Sequence, residues 1–373
     1  MKKKELEAIA TLVGTIIGAG ILGIPYVVAQ AGFWTGIVNI AILGLVVLVM
    51  YLYFGEIVLR TKGNHQLTGY AQIYLGRFGK YLMAFAMVFG IYGALIAYIL
   101  GEGIAFSTMF GGNPWIYSIG FFIIASIIVY LGLKQVAKSE LLLLPGILGI
   151  VCLIAFFSFR FIDVANFTAF NYLKFFVPYG VILFAFLGAA AIPEMEQHLF
   201  RNEKALKKCI MIGIAIPIVV YLIFAVIIVG VTGISTTEIA TVGLGKVIGK
   251  HIILLGNAFA AITMATSFLT LGLALKQMYN YDYKINKTLS WALTVFIPLI
   301  IAVSGIATFI RAIGIAGVVA GGIEGTLIIL MIQRAKRLGA RKPEYKVHFN
   351  WFIGLVLIAL FTAGSLFYFI AML

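Results

Sequence analysis

Charged residues are scarce in this sequence. Only 11% of its 373 residues are Asp, Glu, Lys or Arg, whereas 63% are hydrophobic. An ordinary soluble domain is about 25% charged, and a water-soluble fold of this length could not bury so much apolar surface. The composition therefore excludes a soluble protein. Apolar stretches of about 18 residues or more recur along the chain, which predicts an integral membrane protein with many spans.

Groups that bind metals or nucleotides are also few. The two cysteines, Cys152 and Cys209, lie in or beside apolar runs, which excludes a disulfide framework. The histidines fall in or near predicted loops without metal-ligand spacing: His65, His198, His251 and His348. No G-x-x-x-x-G-K-[ST] motif supports ATP-driven pumping. We expect no cofactor and no metal other than sodium as a coupling ion.

The net charge of +14 does not indicate a nucleic-acid partner, because basic residues of membrane proteins collect on the cytoplasmic side. Most of the 27 Lys and Arg residues fall in loops on the same side as the N-terminus. This bias predicts a cytoplasmic N-terminus and, after an odd number of spans, an extracellular C-terminus in the cell membrane. The first apolar run lacks a small-residue cleavage site, so we favour a first span over a signal peptide.

We predict eleven spans joined by short loops. They cover residues 6–30, 34–59, 80–109, 115–133, 140–158, 175–200, 206–231, 251–276, 288–305, 311–333 and 349–371.

Two of these spans are interrupted. The first contains GTIIGAGILGIP at residues 14–25, and the sixth contains FLGAAAIPE at 186–194. In a helix interior glycine costs about 1 kcal/mol and proline about 3 kcal/mol relative to alanine. Paired interruptions in corresponding positions point to an inverted repeat with a binding site at the breaks. We expect repeats over 1–159 and 160–339, and an additional span in 340–373.

The stretch GTIIGAGILGIPYVVAQAG (14–32) resembles the amino acid/auxin permease family of the amino acid–polyamine–organocation superfamily. Residues 189–221 are similar to that family's sixth and seventh spans. The resemblance implies an all-α membrane protein with the LeuT-type five-plus-five inverted repeat plus one helix, and secondary transport of amino acids. In one position the chain departs from the pattern: sodium-coupled animal members carry asparagine where this sequence has Gly14.

At the first break, Gly18, Ala19 and Gly20 are candidate substrate-binding residues. If the helix opens there, main-chain N–H groups at the start of a half-helix form an anion site suited to a carboxylate. Glycine also lets a ligand approach the backbone closely. The alternative is close helix packing through small residues.

At the second break, the carbonyls of Phe186, Leu187, Gly188 and Ala189 would accept from a substrate ammonium. The Phe186 ring would form a gate or pocket wall, or would simply pack against neighbouring helices. A tyrosine hydroxyl at this depth needs a partner, and we favour Tyr98 as a donor to the substrate carboxylate. Packing is the alternative for this residue too.

A coupling cation has two kinds of candidate site. In the fold that the resemblance implies, the adjacent hydroxyls of Thr266 and Ser267 face first-break carbonyls near Gly14 and Ile17 at a sodium site. Helix packing is the alternative.

Glu324 and Glu102 are candidate proton carriers, because carboxylates inside a membrane are costly and are functional hypotheses by default. Burial favours their neutral form, and a structural role is the alternative for both.

Together these features predict a cation-coupled importer of amino acids that works by alternating access, with membrane lipid around it and a monomer sufficient for transport. The carboxylates are spread over several spans without catalytic spacing, so we do not expect an enzyme. A passive facilitator or an amino acid sensor in the membrane is the alternative. The amino acid, the choice of sodium or proton, and the oligomeric state stay open.

Overall fold

The computed structural model describes residues 2–132 and 136–372, and this part of the chain is helical, without strands. The helices are α1 (Lys3–Ile16), α2 (Ile24–Ala31), α3 (Phe33–Arg60), α4 (Leu67–Phe110), α5 (Pro114–Leu131), α6 (Val136–Ser158), α7 (Tyr179–Ala185), α8 (Ala191–His198), α9 (Leu206–Thr232), α10 (Ala240–Ile248), α11 (Lys250–Gln277), α12 (Lys287–Val303), α13 (Phe309–Ala316), α14 (Gly322–Leu338) and α15 (Trp351–Met372). A short 3-10 turn, Ala19–Leu22, precedes α2, and a π-helical segment, Gly317–Gly321, joins α13 to α14.

Every predicted span coincides with a helix or a pair of helices. By length and hydropathy, seven segments of the described chain qualify as membrane-spanning, and an eighth does if α1 and Ala19–Ala31, bent by 49°, form one span. The segments Leu148–Phe161 and Lys287–Val303 are apolar but shorter. These features support a multi-pass membrane protein, while the count of eleven spans and the repeat boundaries stay predictions.

The structure differs from the predicted spans in two places. Helix α4 begins at Leu67, well before residue 80, and contains a kink at Gly76, whose φ of +76° lies in the region that favours glycine. Helix α10 occupies a stretch that we predicted as a loop, whereas the division of the sixth span into α7 and α8 falls at the predicted interruption. The fourth span was predicted to end at residue 133, which lies outside the described residues.

The packing places the interrupted helices against long ones. Helix α1 packs on α8 and α9, and α3 packs on α9, while α7 packs on α13. The longest helix, α4, packs on α5, α11, α13 and α14. This packing places both interruptions among neighbouring helices, as main-chain groups at membrane depth require.

One buried carboxylate, that of Glu56, links several structural elements. Glu56 is fully buried at the end of α3 and pairs with Arg60 at 2.7 Å and Lys336 at 3.0 Å. It also accepts the Val347 N–H at 2.6 Å. Because its oxygens are shared among α3, α14 and the segment 339–350, we assign Glu56 to holding these elements together.

Candidate functional site

The first break lies at two residues that leave the helical conformation. Helix α1 ends at Ile16, and Ile17 (φ −80°, ψ 74°) and Gly18 (φ −105°, ψ −155°) follow it. The Gly18 N–H turns back to the Ile16 carbonyl at 2.8 Å. Helical structure resumes at Ala19, so the last carbonyls of α1 and the first N–H groups of the next segment lose their intrahelical partners.

Several main-chain groups of this break have no hydrogen-bond partner among the described residues. Among the described residues, the N–H groups of Ala19 and Gly20 have no acceptor, and the carbonyls of Gly14 and Ile17 have no donor. The start of a helix carries partial positive charge and its end partial negative charge. The first break therefore offers groups for an anion and for a cation within a few residues.

The second break is held by a tyrosine from α3. The fully buried Tyr51 hydroxyl donates to the Phe186 carbonyl at 2.8 Å and accepts the Gly188 N–H. The carbonyls of Gly188 and Ala189 accept N–H groups at the start of α8, both at 3.0 Å. Much of the main chain that the interruption would free is thus already paired.

Glycines bring the two breaks into contact with each other. A Cβ on Gly20 would lie 2.9 Å from the Ala185 Cα, and a Cβ on Gly188 would lie 2.6 Å from the Ile16 side chain. The absent side chain of Gly20 therefore makes room for α7, which favours the packing alternative for that position.

A tyrosine from α9 joins the ends of the two half-helices. The Tyr221 hydroxyl lies 2.8 Å from the Ile16 carbonyl and 2.8 Å from the Ala185 carbonyl. These residues are the last of α1 and of α7. The candidate Tyr98 is buried on α4. Tyr221 thus brings α9 to the meeting point of the breaks.

The two hydroxyls of the predicted pair on α11 have different surroundings. A Cβ on Gly18 would lie 3.3 Å from the Ser267 Oγ, so Ser267 faces the first break. The Thr266 hydroxyl donates to carbonyls of its own helix, Ile262 at 2.9 Å and Thr263 at 3.1 Å. The geometry brings Ser267 to the break and favours the packing alternative for Thr266.

The Phe186 ring of the second break packs against α9 and α3. The Phe186 ring packs 5.1 Å from the Tyr221 ring, centroid to centroid, and beside Gly44 of α3. This position favours the packing alternative for the ring. Leu187 is half-buried, and its N–H donates to the Phe184 carbonyl at 3.0 Å.

The two candidate proton carriers have different surroundings. Glu102 is fully buried, and neither carboxyl oxygen has a hydrogen-bond partner among the described residues. Glu324 is 8% exposed, and one of its carboxyl oxygens has no hydrogen-bond partner among the described residues. It lies on α14, which packs on α3, the helix that carries Tyr51.

The sequence matches the model of the tryptophan/tyrosine permease family over residues 1–368, and the chain belongs to that family. It is 27% identical to tyrosine-specific transport system 1 of Haemophilus influenzae, over 97% of this chain and 95% of the relative. It is 24% identical to glutamine transporter 2 of Aliivibrio fischeri, over 94% and 93%. It is also 24% identical to the tryptophan-specific transport protein of Haemophilus influenzae, over 93% and 91%.

Membership in a permease family confirms that the chain is not an enzyme, and together with the apolar helices it confirms a multi-pass membrane protein. Sequence reasoning overlooked Tyr51 and Tyr221. The sequence does carry a sign of their role. Each is a tyrosine inside a long apolar span, where a buried hydroxyl needs a hydrogen-bond partner. That rule singled out Tyr98 and would have singled out these two as well.

Proposed function

We propose that this chain is a secondary active transporter that imports amino acids by cation-coupled alternating access. The observation that carries the proposal is the first break, where N–H and carbonyl groups without partners among the described residues lie within a few residues of one another, beside a second interrupted helix. The relatives are named for tyrosine, glutamine and tryptophan. These molecules differ in their side chains but share an α-ammonium and an α-carboxylate, which main-chain groups of a broken helix suit.

In this proposal the carboxylate binds the N–H groups of Ala19 and Gly20, where the positive end of the half-helix favours an anion. Gly18 allows the close approach, and the Tyr98 hydroxyl donates a further hydrogen bond. The ammonium binds carbonyls at the ends of the half-helices. Because both charges are met mainly by backbone, the site needs no buried ionic side chain for a zwitterionic substrate.

The coupling cation has two candidate sites. Sodium would bind the Gly14 and Ile17 carbonyls and the Ser267 hydroxyl, since oxygen ligands suit a hard cation. A proton would instead reside on Glu324 or Glu102. Gly14 in place of the asparagine of sodium-coupled relatives removes one side-chain ligand, which favours the proton.

We further propose the LeuT-type five-plus-five fold with eleven spans, within the amino acid/auxin permease branch, and a cytoplasmic N-terminus. The support is a structural correspondence between the two proposed repeats. The first helix of each proposed repeat is interrupted, and the second helix of each, α3 and α9, supplies a tyrosine hydroxyl to a break. This correspondence is expected for two copies of one ancestral unit inserted in opposite directions.

Purified protein in proteoliposomes tests the proposal. Labelled tyrosine, tryptophan and glutamine are offered under an inward sodium gradient, an inward proton gradient, or neither. We expect accumulation above the external concentration under one gradient. Uptake that only equilibrates would identify a facilitator, binding without flux would identify a sensor, and absence of both would overturn amino acid transport.

A further inference from the structure

The Tyr221 hydroxyl faces more acceptors than it can satisfy. It carries one proton, yet two buried carbonyl oxygens, of Ile16 and Ala185, lie 2.8 Å from it. The Ile16 carbonyl also receives the Gly18 N–H, whereas Tyr221 is the donor to Ala185 among the described residues. Whenever the proton points to Ile16, the Ala185 oxygen lacks a donor.

The electrostatics of this point favour a cation. Both carbonyls end a half-helix, and helix C-terminal ends carry partial negative charge. In the described part of the chain, no Lys, Arg or His side chain bonds to either oxygen. Two negative ends thus converge on a single neutral hydroxyl.

We propose that the Tyr221 hydroxyl is an internal substitute for the α-ammonium group of the substrate. It bridges the ends of α1 and α7 while no substrate is bound, and it gives way when the ammonium arrives. The ammonium brings three N–H donors and a positive charge, so it satisfies both carbonyls at once. This inference rests on the proposed amino acid transport and deepens it by assigning a positioning residue to the site.

The test uses Tyr221→Phe, which keeps the ring packed against Phe186 and removes the hydroxyl. Tyr92→Phe is a matched control, because the Tyr92 hydroxyl also donates to a main-chain carbonyl, Leu293 at 3.0 Å, away from both breaks. Melting temperature and equilibrium binding of labelled tyrosine, tryptophan and glutamine are measured on the full-length protein in detergent.

We expect Tyr221→Phe to melt at a lower temperature than wild type without substrate, yet to bind amino acids about fivefold more tightly. The ammonium no longer displaces an internal hydrogen bond, whose net contribution corresponds to about that factor. For 3-(4-hydroxyphenyl)lactate, in which a hydroxyl replaces the ammonium, affinity should not increase. Tyr92→Phe should change the melting temperature alone.

Equal or weaker amino acid binding by Tyr221→Phe, with binding intact in wild type, would overturn the substitute role and leave transport standing. A wild type that binds no amino acid would overturn the proposed function instead. If the variant fails to fold, 3-fluorotyrosine placed at position 221 keeps the hydroxyl. Its ¹⁹F resonance should shift with amino acid and not with the hydroxy acid; an unmoved resonance at saturation overturns the inference.

Discussion

The two breaks resemble each other in sequence, with small residues followed by Ile-Pro, but they differ in how their main chain is satisfied. At the first, the N–H groups of Ala19 and Gly20 lack acceptors among the described residues. At the second, Tyr51 takes the Phe186 carbonyl and the Gly188 N–H. Among the described residues the breaks thus differ in their N–H groups: those of Ala19 and Gly20 lack acceptors, whereas that of Gly188 is bonded to Tyr51.

This difference predicts a division of labour. Changes at the first break should act on substrate or ion affinity, and changes at the second should act on stability and turnover. Changes at the contacts between the breaks should alter affinity, stability and turnover together, because Gly20 makes room for Ala185 and Gly188 makes room for Ile16.

The largest effect is expected from Gly20→Ala. The new Cβ would lie 2.9 Å from the Ala185 Cα, a main-chain atom that cannot move aside as a flexible side chain can. Overpacking of this kind costs about 1–3 kcal/mol. We expect a lower melting temperature and loss of uptake in proteoliposomes.

Gly120→Ala in α5 is the control, because nothing lies within 4 Å of its added Cβ and alanine suits a helix interior better than glycine by about 1 kcal/mol. Melting and uptake like wild type in Gly20→Ala would contradict the mutual packing of the breaks.

A smaller loss is expected from Tyr51→Phe. The Phe186 carbonyl and the Gly188 N–H would stay buried without a partner, which costs about 1–3 kcal/mol. We expect a lower melting temperature and a lower maximal uptake rate with little change in KM. A tenfold rise in KM at an unchanged melting temperature would show that the second break binds substrate directly and would remove the distinction between the breaks.

The position of both breaks could be predicted from sequence, because glycine and proline interrupt helices for local reasons. The roles of Tyr51 and Tyr221 could not, because their main-chain partners lie 135 and 205 residues away, on Phe186 and Ile16. The sequence also could not predict which of the two α11 hydroxyls, Thr266 or Ser267, faces the first break. That helix is apolar nearly all round, so its rotation about its own axis leaves no periodic pattern.

Gly18→Ala should act on affinity alone. Its Cβ would meet the Ser267 Oγ at 3.3 Å, a contact that moderate adjustment relieves. We expect KM for substrate to rise about three- to tenfold, which corresponds to roughly 0.7–1.4 kcal/mol, with melting close to wild type. The double variant with Ser267→Ala should recover much of the loss. An equal effect of Gly18→Ala in both backgrounds would show that the two residues do not interact.

Variants of the two α11 hydroxyls test which of them binds a coupling ion at the first break. If sodium is the coupling ion, Ser267→Ala should weaken the apparent sodium affinity several-fold, because Ser267 faces Gly18. Thr266→Ala should leave it unchanged, because the Thr266 hydroxyl is bonded within its own helix. Uptake at a series of sodium concentrations measures the apparent sodium affinity of both variants. A larger loss of sodium affinity in Thr266→Ala than in Ser267→Ala would place Thr266 at the ion.

The smallest change in stability is expected from Glu324→Gln, because glutamine resembles the neutral acid in size and shape. If the proton is the coupling ion, this variant should bind and exchange substrate like wild type but lose accumulation driven by a pH gradient. Glu324 is suited to this role because it is 8% exposed and lies on α14, which packs on α3, the helix that carries Tyr51. Glu102 is fully enclosed, which slows proton exchange, and Glu102→Gln should keep the response to pH. Proton-driven accumulation that survives in Glu324→Gln and disappears in Glu102→Gln would move the carrier to α4 and separate proton coupling from the second break.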